Sequence, residues 1–371
     1  SLGRPVTVVF SAGNERDGYY DSSTGSNNTS CITDTAAPFA NYFTLNHPKA
    51  AKNIIAVGAV DSGNDLMSVY SSWGPTLDGR IKPEVIAAGH HNGNVDSNVS
   101  DWTVANQGYT VTGANYPYVL FGLTSAAAAE VSGGLALMID GWRDAFPGRA
   151  DPLPSTLRAT LVNSATDIVT GTSWFNTGPD YASGYGLVDI NDSVLSLERG
   201  DAVEGSVAHG GEAHYSINVL AGAGPLRITL AWDDEPAVNG ANPALVNDLD
   251  LVVTDSGGVR RYPWTLNHAT PTAAAVRTGE DHVNNLEQVQ VDAPAAGTWT
   301  VTVRGTSVAS GRQNFSLVTP NGFTRQPVDL ILALDTSDSM NSPAAPGALS
   351  KIEILRRSSR LLLETWNLHS I

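Results

Sequence analysis

The apolar residues of this chain change their period near residue 200, and that change decides what it can fold into. Up to about residue 195, β-branched apolar runs alternate with helical patterns, the habit of a largely parallel sheet covered by helices. Strands are expected at residues 5–10 and 53–59. A helix is expected over 126–146, because Val131, Leu135, Met138, Ile139, Trp142 and Phe146 share one face before Pro147-Gly148 stops the run. A second helix is expected at about 154–164. From about 200 to 320 the period becomes two, with short runs at 215–220, 226–232, 249–254, 288–291, 298–304 and 314–318 separated by turn residues such as Asp255-Ser256-Gly257-Gly258. That pattern fits an antiparallel sandwich or jelly roll. After Pro320 a new unit begins, with an apolar strand at 328–334 and an amphipathic helix at 351–365.

Composition narrows the function. The 371 residues are 42% hydrophobic, enough for two or three cores at roughly 100–200 residues per domain. Acidic residues outnumber basic ones 37 to 21, and the net charge of −16 speaks against nucleic acid or an anionic membrane as partner. Cys31 is the single cysteine, so no internal disulfide framework is available. No apolar run reaches the roughly 18 residues of a membrane span. The first residue is Ser1, and residues 5–10 already read as a core strand, so the chain is expected to be a fragment beginning inside a domain.

Two segments carry chemistry. Ser11-Ala12-Gly13-Asn14-Glu15 places an amide just past the carboxyl end of a strand, where α/β proteins build their sites. Asn14 there reads as an oxyanion donor or as a simple turn residue beside Gly13. Gly122-Leu123-Thr124-Ser125 sets a hydroxyl at the mouth of an alanine-rich helix, whose free N–H groups favour negative charge. Ser125 there reads as a nucleophile or, with Thr124, as a helix cap.

Together these segments resemble the subtilisin-like peptidase family. Residues 11–15 look like its AGN element, residues 53–60 its NVIAVGA strand, residues 70–85 its FSSRGPTSDGRIKPDV stretch, and residues 123–127 its GTSMA element, in the family's order. The resemblance implies that Ser125 is the catalytic nucleophile and that Asn14, with the Ser125 backbone N–H, forms the oxyanion hole. Ala12 and Gly13 would then wall the substrate pocket. The sequence departs from the family at Ala88, Leu123, Ala126 and Ala129, which replace Pro, Gly, Met and Pro, while Glu130 is read as a neutral change. The family's Asp and His elements do not occur in these 371 residues. His90-His91 follows Gly89 in what looks like a surface loop, so neither is expected to act as the base.

Residues 198–321 resemble the β-sandwich behind the catalytic domain of some alkaline subtilisin-like proteases, on the strength of residues 245–251, 283–289 and 296–301. Some such domains bind calcium. Asp233, Asp234, Asp248 and Asp250 would supply hard oxygen ligands for a structural Ca²⁺, or else form acidic turns. Asp335-Thr336-Ser337-Asp338-Ser339 resembles the DxSxS loop of von Willebrand factor A domains. That resemblance implies Mg²⁺ on Asp335, Ser337 and Ser339 and a protein ligand for the A-like unit, against the plainer reading of a polar turn.

The fold class expected is a partial α/β parallel-sheet subtilisin-like domain (1–197), an all-β jelly-roll sandwich (198–321) and a truncated α/β von Willebrand factor A-like start (326–371). The implied function is a secreted or cell-surface serine endopeptidase acting on protein or peptide substrates, with no cofactor for catalysis. The opposing expectation is a non-catalytic binding or adhesion protein on a degenerate peptidase fold, to which Leu123 and Ala129 point.

Overall fold

The computed structural model describes residues 6–16, 19–21, 26–28, 42–90, 122–168, 176–320 and 322–325. Asp335, Ser337 and Ser339 of the expected A-like loop lie outside them, as does His91. The first layer is a sheet of β1 (Val8–Ser11), β4 (Ile54–Asp61), β5 (Leu66–Met67) and β6 (Val85–His90), while β2 (Tyr19–Asp21) and β3 (Ser26–Asn28) form a separate hairpin. β1 and β6 flank β4 in parallel, and β5 pairs its end antiparallel. All eight β4 residues are buried, which is why residues 54–60 run apolar without alternating before the buried Asp61.

Helix α1 (Leu123–Ala145) lays Ala127, Val131, Leu135 and Met138 on this sheet. Its other side meets α3 (Ile190–Arg199) closely. A Cβ on Gly134 would come within 2.3 Å of Ile190 Cδ1, and one on Gly141 within 2.9 Å of Glu198 Oε1, so these glycines set the approach of the two helices. α3 starts at Asp189, whose carboxylate accepts from the Asp192 N–H, and ends at Gly200 in the left-handed region with φ 77°. Helix α2 (Pro154–Ser164) coincides with the stretch expected from sequence; β6, α3 and β7 (Ala202–Ala208) are elements the apolar pattern did not announce.

The sandwich adds β8 (Glu212–Val219), β9 (Leu226–Ala231), β10 (Asp248–Thr254), β11 (Arg260–Arg261), β12 (Leu286–Val291), β13 (Gly297–Ser307), β14 (Arg312–Val318) and β15 (Thr324–Arg325). Its sheets run β11-β10-β13-β8-β15 and β12-β9-β14-β7. Alternate residues of both, among them Ile217, Ile228, Leu230, Leu251, Trp299, Val301, Phe315 and Leu317, fill the space between.

The outer face of the four-stranded sheet meets α2, and the meeting is polar. Ser155 and Thr156 each hydrogen-bond Ser316 Oγ, at 2.9 and 2.8 Å, and Asn163 donates to Thr229 Oγ1 at 3.0 Å. Arg158, 2% exposed, donates to the carbonyls of Lys52, Trp232 and Asn285. Burial lowers its pKa, while Asp233 and Glu84 oppose that shift.

Candidate active site

The site grows from the carboxyl edge of the parallel sheet. β1 ends at Ser11, and the Ala12 N–H still donates to Val57 O at 2.8 Å, extending the ladder by one residue. Gly13 then turns at φ 112°, and a Cβ there would lie 2.0 Å from Glu15 Oε2, so the tight turn into Asn14 requires glycine. Around it, Ser72 N–H donates to Gly13 O at 2.9 Å and Ser72 Oγ donates to Glu15 Oε2 at 2.7 Å, while Lys49 pairs with Glu15 at 3.2 Å. The turn is therefore held from both sides. Ala12 and Gly13 are both buried, and the N–H and C=O of Gly13 are spent on protein partners, so only their hydrocarbon surface is left to meet a ligand.

The N-terminus of α1 is brought to this turn by its own hydrogen bonds. Gly13 N–H donates to Thr124 Oγ1 at 3.3 Å, and Asn14 Oδ1 accepts from Thr124 N–H at 3.1 Å and from Thr124 Oγ1 at 2.8 Å. Because a backbone N–H can only donate, the Asn14 oxygen must face the helix, which leaves its Nδ2 as the outward end. Ser125 follows Thr124 directly. It is exposed, whereas Thr124 and Ala126 on either side are buried. First-turn N–H groups of a helix lack intrahelical acceptors, so the Ser125 amide is available to an anion. The structure thus brings Asn14 and Ser125 together through Thr124, a residue that sequence reasoning had assigned only as a possible cap.

Leu123 begins the helix at φ 68°, in the left-handed region that glycine tolerates and a branched side chain resists at a cost of about 1–2 kcal/mol. The family has glycine at this position. Glu130, read from sequence as a neutral change, accepts the Ala88 N–H at 3.0 Å and so ties α1 to the end of β6.

His90 corrects the sequence reading, which placed it on a surface loop. β6 continues through it, and it is 5% exposed. Its Nδ1 lies 3.0 Å from both Ser68 Oγ and Tyr70 Oη, and its Nε2 3.5 Å from Asp61 Oδ2, the residue it faces across β4. Burial lowers its pKa against the pull of Asp61. Both ring nitrogens are occupied inside the protein, so His90 is a structural node. Among the described residues no histidine hydrogen-bonds Ser125.

The four expected calcium ligands of the sandwich also separate. Asp233 accepts from Ser155 N–H, and Asp234 from Val246 and Asn247 N–H and from the Lys52 ammonium. These two carboxylates are consumed by protein donors at the junction with the first layer. Asp248 and Asp250 lie elsewhere, beside His282.

The subtilase family matches residues 2–186, and the bacterial pre-peptidase C-terminal domain matches residues 211–305. Among curated relatives, the chain is similar to the serine protease/ABC transporter B family protein tagA of Dictyostelium discoideum. The two are 25% identical over 269 residues, covering 68% of this chain and 15% of the relative. It is likewise similar to tagB of the same organism, 24% identical over 307 residues, with 68% and 16% covered. The chain therefore spans about a sixth of the length of these relatives. Among solved structures, tripeptidyl peptidase 2 aligns over 85% of this chain and 32% of its own, at 13% identity and a TM-score of 0.28. Residues 2–186 are a subtilase-family domain, followed at residues 211–305 by a pre-peptidase C-terminal β-sandwich domain.

Proposed function

We propose that the protein is a serine endopeptidase in which Ser125 forms the acyl-enzyme and Asn14 donates to the oxyanion. The observation that carries this reading is the pair of hydrogen bonds from Thr124 to Asn14 Oδ1, which turns the Asn14 amide nitrogen outward beside an exposed serine at a helix N-terminus. Ser125 Oγ gives its proton to a base and attacks the scissile carbonyl carbon. The carbonyl oxygen takes up the negative charge, and Asn14 Nδ2 and the Ser125 N–H donate to it. Collapse expels the amine, protonated by the same base, and water then releases the acyl group from Oγ. The base and its orienting acid are the family's His and Asp, which these 371 residues do not contain. Ala12 and Gly13 line the substrate pocket, and the protein is secreted or displayed on the cell surface. No helix among the described residues is long and apolar enough to cross a membrane.

The test is kinetic, in a protein carrying the family's Asp and His elements ahead of Ser1. Asn14→Ala should lower kcat by roughly 10²–10³, the loss expected for one oxyanion donor, with little change in KM. A raised KM with kcat intact would make Asn14 a ground-state binder. A second reading, a non-catalytic scaffold, is favoured by one observation: the leucine held at φ 68° immediately before Thr124. If that reading holds, Asn14→Ala leaves activity at the background of the uncatalysed reaction.

A further inference from the structure

A dense group of carboxylates lies in the sandwich, on strands and a loop that do not carry Ser125. β10 opens with Asp248 and Asp250, two residues apart and so on one side of the strand, while Leu249, Leu251 and Val253 turn into the core. The segment 280–285 folds over them. Asp281 shapes it, accepting from Val283 N–H, Asn284 N–H and Asn284 Nδ2, and Asn284 Oδ1 in turn accepts from Ile81 N–H at 2.7 Å. His282 is thereby set with Nδ1 2.9 Å from Asp248 Oδ2 and 3.4 Å from Asp250 Oδ1. Glu280, Asp281 and Glu287 bring three more carboxylates to the same corner, against a single guanidinium from Arg304, which reaches Asp250 at 3.2 Å and Glu280 at 2.7 Å.

The protein does not supply enough donors for these oxygens. Thr306 and Arg304 satisfy Asp250 Oδ2, and the Leu251 N–H satisfies Glu287 Oε2. Asp248 Oδ1, Asp250 Oδ1 and Glu287 Oε1 are buried and accept no hydrogen bond among the described residues. Asp250 and Glu287 are both fully buried. A buried carboxylate oxygen without a donor is costly, and Asp250 Oδ1, the one of the three that borders His282 Nδ1, would be satisfied by a cation shared with the ring.

We propose that Asp248, Asp250 and His282 hold a divalent transition-metal ion of the Zn²⁺ or Mn²⁺ kind. The candidate oxygen and nitrogen atoms of these residues lie within 4.8 Å of one another. Their spacings of 2.9 and 3.4 Å are those of neighbouring ligands around one ion with bonds of about 2.0–2.2 Å. The imidazole decides the class of ion: Ca²⁺ and Mg²⁺ take oxygen shells, whereas Zn²⁺ and Mn²⁺ accept nitrogen beside carboxylate. His282 Nδ1 is the ligand atom and exchanges its proton for the metal. Glu280 Oε2 lies 4.0 Å from Nε2 and adds negative charge behind the ring, and the half-exposed His282 leaves an open side for water. This differs from the sequence expectation in both ligands and metal, because Asp233 and Asp234 are already engaged and a nitrogen enters the set.

The experiment uses this chain after dialysis against a chelator, titrated calorimetrically with Zn²⁺, Mn²⁺ and Ca²⁺ separately, with the thermal midpoint followed in parallel. One Zn²⁺ or Mn²⁺ should bind and raise the midpoint by several degrees. His282→Ala, a change at a half-exposed side chain, should weaken that affinity at least tenfold and abolish the midpoint shift, whereas His214→Ala on β8, two strands from β10 in the same sheet, should change neither. Absence of binding, binding indifferent to His282→Ala, or a preference for Ca²⁺ that survives His282→Ala would each overturn the assignment.

Discussion

The two faces of the sheet β12-β9-β14-β7 are buried to the same depth by opposite chemistry. Its inner face presents Ile228, Leu230, Val289, Phe315 and Leu317 to the sandwich core. Its outer face presents Thr229, Gln288 and Ser316, each at most 4% exposed, to α2. The inner face is held by area removed from water, a non-directional force that tolerates any well-shaped apolar set. The outer face is held by matched donors and acceptors: Gln288 Nε2 donates to Val162 O and to Thr229 Oγ1 at 3.2 Å each, and Arg227 donates to Ala165 O at 2.6 Å. Polar contacts of that kind contribute little net energy each but penalise every mismatch, so they fix one docking of the sandwich on the subtilase domain.

Arg158 is the largest single contributor to the polar seam. Arg158→Ala leaves the Lys52 carbonyl without its donor, weakens the hold on the Trp232 and Asn285 carbonyls and removes the buried counter-charge of Asp233, and should cost about 5 kcal/mol in denaturant unfolding. Because the loss falls on the seam, the single transition of the parent should divide into two, one for each domain. A lone shifted transition would mean that the seam does not couple the domains. Phe315→Ala opens the inner face instead and should cost about 3–4 kcal/mol, with the sandwich unfolding first.

How much of this was legible in sequence follows from the same contrast. The alternation in residues 226–232 and 314–318 locates two strands and their inward residues, because period two is what a half-buried strand imposes. It reads Thr229 and Ser316 as facing water. Nothing in the alternation distinguishes a polar residue aimed at solvent from one aimed at a helix 60 or more positions away. His90 was misplaced for a related reason: its neighbours Gly89 and His91 look like loop, and only the pairing of Asp61 with His90 across β4 and β6 shows that the strand continues. The places of Asn14 and Ser125 in the chain were legible because their signal is local, a glycine turn after a strand and a hydroxyl in the first turn of a helix. Thr124, which joins them across 110 positions, was not. Asp248 and Asp250 stood out as acidic residues, but His282 belongs with them only through the fold.

Ser316 is the smallest contributor to the polar face and the most specific to it. Ser316→Ala removes one hydroxyl shared by Ser155 and Thr156, and Thr156 keeps its bond to Glu204 at 2.6 Å. The loss should be about 1 kcal/mol. A value within about 0.5 kcal/mol of zero, the range for an exposed surface change, would mean that the outer face meets water rather than α2.

If the hydrogen bonds of Thr124 present Asn14 and Ser125 as oxyanion donor and nucleophile, a fluorophosphonate will label the site. In the protein carrying the family's Asp and His elements, the probe should attach at one site, mapped to Ser125, because it needs both an activated oxygen and donors for its own oxyanion. Heat-denatured protein and Ser125→Ala should take up none. Failure of the folded protein to label, or an adduct mapped to any residue other than Ser125, would contradict the account.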